Sequence, residues 1–195
     1  MSFVHYRYPA LISQGAHEAM QQLRDILGDV MRQPLLPMRT SLEKARQSIS
    51  TVICPAGMNT VIKDRLMAHG WLREFSINHG MLRADFYKSG VVVEVQFGKY
   101  AFCAENIYVK FPLACRTQTA AHPVEIGVLV LPTRAMASQM STGIGTYEQT
   151  MRNYVTPLLD NINYNLVVLG LEYQPQSASP MNAIAAEQNT CVSER

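Results

Sequence analysis

Leu82-Arg83-Ala84-Asp85-Phe86-Tyr87-Lys88-Ser89-Gly90-Val91-Val92-Val93-Glu94-Val95-Gln96-Phe97-Gly98-Lys99-Tyr100 decides how the chain is read. Two runs rich in β-branched and aromatic residues flank Lys88-Ser89-Gly90, which spells a β-hairpin. In the second run Val91, Val93, Val95 and Phe97 face one way, while Val92, Glu94 and Gln96 face the other. Closing the hairpin at residues 88–91 sets Asp85 opposite Glu94, with Cβ atoms about 5 Å apart. Two carboxylates that close repel unless a proton or cation lies between them. A hard divalent cation with oxygen ligands, most simply Mg²⁺, suits the pair. The ordinary fate of such a pair is a solvated outer face. Against that, Glu94 sits inside an unbroken apolar run, where an ionised group is costly unless paired or metal-bound.

The rest of the chain is consistent with one domain. It has 195 residues, 48% hydrophobic and 16% charged, with a net charge of +2. That balance permits a nucleic-acid partner without arguing for one. No run approaches membrane-span length, and the N-terminus has no basic segment followed by an apolar core, so the expected location is cytoplasmic. Cys54, Cys103, Cys115 and Cys191 show no C-x-x-C spacing, and the five histidines are equally scattered, so neither a disulfide framework nor a zinc site is written here.

Outward from the hairpin, periodicity predicts helices over 17–33, 58–69, 100–111 and 145–159, with a weaker polar helix over 38–50. Pro34 and Pro37 end the first, Gly70 the third, and Pro112 ends or kinks the one from Tyr100. Residues 124–131 and 166–171 read as buried strands, and residues 1–15 as an irregular or short β entry. From Gln174 the composition predicts a flexible tail, leaving 1–172 as the folded unit. The class is α/β (α+β), a central mixed β-sheet flanked by helices. No Gly-rich phosphate loop or G-x-S-x-G is present, which disfavours a nucleotide cofactor and a serine hydrolase.

Asp85…Glu94-Val95-Gln96 resembles the PD-(D/E)XK nuclease motif, with Gln96 where most members carry Lys. Its context makes the likeness specific. Residues 93–100 are similar to the active-site strand of type II restriction endonucleases of the BglII/BamHI group, most of all its BstYI-like members. The likeness continues into Ala101-Phe102 and returns at Met140-Ser141-Thr142-Gly143-Ile144-Gly145-Thr146-Tyr147-Glu148. Cys54-Pro55-Ala56-Gly57-Met58-Asn59 and Ile62-Lys63-Asp64 extend it upstream, for a span of roughly residues 50–172.

The resemblance implies a restriction-endonuclease-like fold and a Mg²⁺-dependent homodimer that cuts both strands of a short palindrome in double-stranded DNA. It implies Asp85, Glu94 and the Val95 carbonyl as metal ligands, and Glu74 as an additional active-site acid. Gln96 can hold a water or phosphate oxygen, but it brings no charge and no base. The proton acceptor is therefore open between bulk solvent, a substrate phosphate and another carboxylate. Lys99 is expected to meet a guanine edge or a phosphate, and Ser141, Thr142 and Gly143 to read bases or cap the helix behind them. Asn59 and Lys63 share one helix face, suited to the DNA backbone or to solvent. Arg39, Lys44, Arg46, Lys88 and Lys110 are generic phosphate contacts. The BstYI likeness suggests a GATC centre, and helices 100–111 and 145–159 are the expected dimer face. Two alternatives stand beside this reading: a catalytically silent DNA-binding protein of nuclease fold, and a low-specificity repair nuclease.

Overall fold

The computed structural model describes residues 2–6, 12–32, 53–77, 80–117, 121–140 and 143–173. The helix expected over 38–50 and the tail from Gln174 lie outside them. The described residues include six strands: β1 (Ser2–Tyr6), β2 (Leu72–Ile77), β3 (Leu82–Lys88), β4 (Val91–Val95), β5 (Ile126–Pro132) and β6 (Asn165–Leu171). They form one mixed sheet in the order β1-β6-β5-β4-β3-β2. β4–β5 and β5–β6 are parallel, while β1–β6, β2–β3 and β3–β4 are antiparallel. β4 and β5 are buried along their whole length, as expected of strands covered on both faces.

The β3–β4 hairpin closes as its sequence requires. Ser89 and Gly90 have φ of 44° and 86°, the pair of positive values that a two-residue turn matched to strand twist demands. Phe86 pairs with Val93, Tyr87 with Val92 and Lys88 with Val91, so the next step along the ladder sets Asp85 against Glu94. The two faces of β4 also divide as expected. Val91, Val93, Val95 and Phe97 join one apolar cluster, and Val92 joins the other.

Helix α1 (Gln14–Arg32) begins three residues before the periodic stretch and covers the first cluster with Met20, Leu23, Ile26, Leu27, Val30 and Met31. Ser13 caps it, its Oγ accepting from the Ala16 N–H at 3.2 Å. Helix α2 (Pro55–Ala68) packs beside it through Met58, Ile62 and Leu66. It too starts early, because Pro55 suits the first helical position and Cys54 Sγ accepts from the Gly57 N–H.

The opposite face is covered by α3 (residues 101–116) and α5 (residues 147–155). The short α4 (Arg134–Ala137) joins the first cluster through Met136 and Ala137. Pro112 does not end α3. A wide turn over Asn106–Lys110 carries the Phe111 N–H back to the Asn106 carbonyl, and the helix continues through Phe111–Arg116. The next bond of that series would reach the Ile107 carbonyl, but Pro112 has no N–H to give. Tyr164 OH donates to that carbonyl instead, at 2.7 Å. A second wide turn, Met151–Val155, ends α5 sooner than the expected residue 159, and its cap is Thr146, whose Oγ1 accepts from the Gln149 N–H.

α3 presses directly on the sheet. A Cβ on Gly127 of β5 would lie 2.6 Å from Phe111 Cγ, so only glycine permits that approach. Gly127→Ala is therefore expected to destabilise the fold by about 1–3 kcal/mol through overpacking, read as a lower urea midpoint with unchanged slope. An unaltered midpoint would show that Phe111 yields freely.

Candidate active site

Hairpin register brings Asp85 and Glu94 together, and the burial of Glu94 beside half-buried Asp85 makes the meeting costly. The Val95 N–H, two residues past the last paired residue Val93, donates to Asp85 Oδ2 at 2.8 Å. The side chain thus replaces the partner strand where the two strands part. Glu94 is 5% exposed and faces the α3 layer, where Lys110 Nζ donates to its Oε1 at 2.8 Å. Burial is the first cause that raises both acids. Glu94 is pushed up to about 7 by burial and then by the neighbouring Asp85 charge, with Lys110 pulling the other way. Asp85 is raised by burial and by Glu74, against the Val95 N–H and the Lys110 and Arg73 charges.

β2 and β3 change side at the same level. Leu82 and Ala84 pack into the α3-side cluster, as does Tyr87, so the alternation of β3 breaks between Ala84 and Tyr87. Across from this break, Glu74 has φ 53°, uncommon for a residue other than glycine. The β2–β3 pairing skips the step at which Glu74 would face Asp85, between Arg73↔Phe86 and Phe75↔Ala84. Glu74 stays half-exposed between Arg73 at 3.4 Å and Arg83 at 3.7 Å.

A cleft of about 210 Å³ opens here, lined by Asn59 and Lys63 of α2, Arg73 and Glu74 of β2, Asp85 and Phe86 of β3, and Val95. Asn59 and Lys63, expected on one helix face, thus share a cleft with Asp85 and Glu74, while Glu94 is not in its lining, and Lys63 also meets Asp64 at 3.4 Å. Gln96 is half-buried just past β4, its own N–H donating to Val130 O at 2.9 Å. Lys99 is exposed and forms an isolated antiparallel bridge with Ile144, and the Gly145 N–H donates to Gly98 O at 3.2 Å. The two stretches flagged around Lys99 and Gly143 are therefore neighbours. Gly143 is exposed with φ 81°, while Ser141 and Thr142 lie outside the described residues.

Two generic phosphate candidates are committed elsewhere. Lys88 Nζ donates to Gln22 Oε1 and to the His69 carbonyl, and Lys110 belongs to Glu94. Arg39, Lys44 and Arg46 lie outside the described residues. Sequence reading missed the role of Lys110. The signal was its place four residues after the buried Asn106, on the flank of the buried stripe of α3.

The donor chemistry fits a hard cation: two adjacent carboxylates, Glu94 buried and Asp85 half-buried, both raised first by burial and so short of positive charge. Among the described residues no group of three or more His, Cys, Asp or Glu is placed to hold a metal. The protein's share would thus be Asp85, Glu94 and backbone oxygen.

The description "Restriction endonuclease BglII/BglIII" matches residues 2–171. The chain belongs to the BglII/BglIII restriction endonuclease family. Its class is that of the type II site-specific deoxyribonucleases, and the match takes in the first 50 residues, where sequence likeness added little. The fold is similar to that of BglII complexed with a DNA 16-mer, with a TM-score of 0.65 and 20% identity over 89% of this chain and 79% of that one. Free BglII gives a TM-score of 0.61 and 19% identity over the same shares. Among curated proteins none matches. No helix among the described residues is long and apolar enough to cross a membrane.

Glu94 makes the metal-free protein sensitive to pH. Ionising near 7 rather than 4.5, it favours the folded state below about 4.5, where it is protonated in both states, and loses that contribution as pH rises through about 7. Glu94→Gln is therefore expected to gain on the order of 3 kcal/mol relative to wild type between pH 4.5 and 8. Urea melts in EDTA across that range test it, and parallel pH profiles for the two proteins would refute it.

Proposed function

We propose that residues 1–172 form one catalytic and DNA-binding unit of the PD-(D/E)XK kind, a homodimeric type II restriction endonuclease that hydrolyses both strands of a short palindrome with Mg²⁺. The observation that carries this reading is the pairing of half-buried Asp85 with buried Glu94 at the mouth of the β3–β4 hairpin, beside a cleft that also holds Asn59 and Lys63. Membership of the BglII/BglIII family sets the reaction class.

In this reading Asp85, Glu94 and the Val95 carbonyl hold the cation. When bound, it supplies an activated water, charge against the scissile phosphate and relief for the leaving oxygen. Asp85 is kept in place by the Val95 N–H and Glu94 by Lys110. Gln96 hydrogen-bonds a water or a phosphate oxygen through its amide. Glu74 adds negative charge at the cleft, while Arg73 beside it limits that charge. Asn59 and Lys63 receive the phosphate backbone, which positions the duplex. Lys99, beside Gly143 through its bridge to Ile144, reads base edges in the major groove, and Ser141 and Thr142 join it as the family resemblance implies.

A palindrome calls for a two-fold dimer. Phe102 and Val109, exposed by 47% and 46% and seven residues apart on α3, favour that helix as part of the contact. Likeness to BstYI-like enzymes points to a GATC-centred site.

Asp85→Ala and Glu94→Ala are each expected to lower cleavage in Mg²⁺ by about 10³-fold or more while leaving specific binding in Ca²⁺ nearly unchanged. The first experiment is digestion of unmethylated plasmid and phage DNA with Mg²⁺ or EDTA, followed by sequencing of the ends. Discrete Mg²⁺-dependent fragments sharing one palindrome are the expected result. A smear would favour a low-specificity nuclease, and intact but retarded DNA a silent binder.

A further inference from the structure

The carboxylate pair already holds one ammonium. Lys110 and Glu94 meet at 2.8 Å with side chains only 16% and 6% exposed, and Lys110 also bears on Asp85 through its charge. It arrives from α3, in the layer opposite to α2. The cations on the cleft side differ in kind: Lys63 and Arg73 are one-third and one-half exposed and spend their charge on Asp64 and Glu74, where solvent screens it.

The strand offers no cation of its own. Gln96, two residues beyond Glu94 and so on the same side, ends in a neutral amide. Packing alone does not call for a lysine at this place. Burying an ion pair is expensive, and an apolar side chain of similar volume often holds a fold as well or better. An ammonium kept against a buried carboxylate therefore needs a reason in charge. A phosphodiester brought to Asp85 and Glu94 adds a third negative charge to the two already crowded there.

We infer that Lys110 is a positioning residue for phosphodiester hydrolysis, a fixed positive charge delivered from α3 that aims Glu94 and offsets the negative charge gathered around the pair. Its inward aim comes from the helix itself. Lys110 is the last residue of the wide turn Asn106–Lys110 and follows Asn106 by four, so both lie along the flank of the buried stripe Cys103, Ile107 and Phe111. The inference rests on the nuclease reading above.

The test uses the full-length protein with Lys110→Met, Lys110→Arg, and Lys110→Met combined with Gln96→Lys. Three quantities are measured: single-turnover cleavage of unmethylated phage DNA in Mg²⁺, Ca²⁺ binding to the DNA-free protein by calorimetry, and the melting temperature in EDTA. Lys110→Met is expected to cleave about 100-fold more slowly or worse, with Ca²⁺ affinity changed about threefold or more and the fold retained. Lys110→Arg should stay within about tenfold of wild type. Gln96→Lys, which places an ammonium on the same side of the strand, should restore about tenfold or more to Lys110→Met.

Cleavage by Lys110→Met within about threefold of wild type would overturn the inference. So would a loss that neither Lys110→Arg nor Gln96→Lys lessens, since that is the mark of packing. If Lys110→Met does not fold, Lys110→Gln takes its place with the same thresholds. Failure of wild type to cut any of the DNA would instead sink the nuclease reading. The hydrolytic role of Lys110 would fall with it, and an unchanged Ca²⁺ affinity would also refute its aiming of Glu94.

Discussion

Repulsion between Asp85 and Glu94 is the constraint around which the structure is arranged. Two carboxylates on neighbouring strands, one of them 5% exposed, would drive a lone hairpin apart or out of register. Here the hairpin cannot slip. β4 is paired on one side to β3 and on the other, in parallel, to β5. Its odd-numbered valines are locked among α1 and α2, and Val92 lies among the α3 and α5 residues. A slip of one residue would exchange the two faces and bury Gln96 in place of Phe97, which the hydrophobic effect forbids. Apolar burial thus holds a polar arrangement that is unfavourable by itself.

What could be read from the chain follows the range of the interactions. The hairpin, its Ser89-Gly90 turn and the division of β4 into two faces were legible, because each depends on residues within ten positions of one another. The stripes of α1 and α2 were legible for the same reason. Whether Pro112 ends or only disturbs its helix could not be read locally, because its missing N–H is compensated by Tyr164, far along the chain. The left-handed backbone at Glu74 was invisible, since nothing in Arg73-Glu74-Phe75 distinguishes it from ordinary strand. Lys110 looked like any surface lysine, because its partner lies on a strand that the helix meets only after folding. The acids of the candidate site could be named from sequence, while the cation that balances them could not.

The two ends of the sheet's central hairpin are treated differently. At the turn, the Glu125 and Ile126 N–H groups both donate to Gly90 O, and Tyr87 OH joins the Gly90 N–H to the Pro123 carbonyl. Ser13 binds the Glu125 carboxylate through both its N–H and its hydroxyl. Lys88 and Trp71 share Gln22 of α1 as acceptor. At the other end the ladder gives way to bonds made by the carboxylates themselves: the Val95 N–H donates to Asp85, and the Asp85 N–H to Glu94.

That asymmetry gives the hairpin the mechanics of tongs. A ribbon bolted at its closed end and tied at its mouth by side chains takes its register from the turn and leaves the carboxylates as the fastening between β3 and β4. A cation between Asp85 and Glu94 would take over the role of that fastening between the two strands. The carboxylates' alignment along the strands is already set by the bolt, so the site can adjust its width without losing its register.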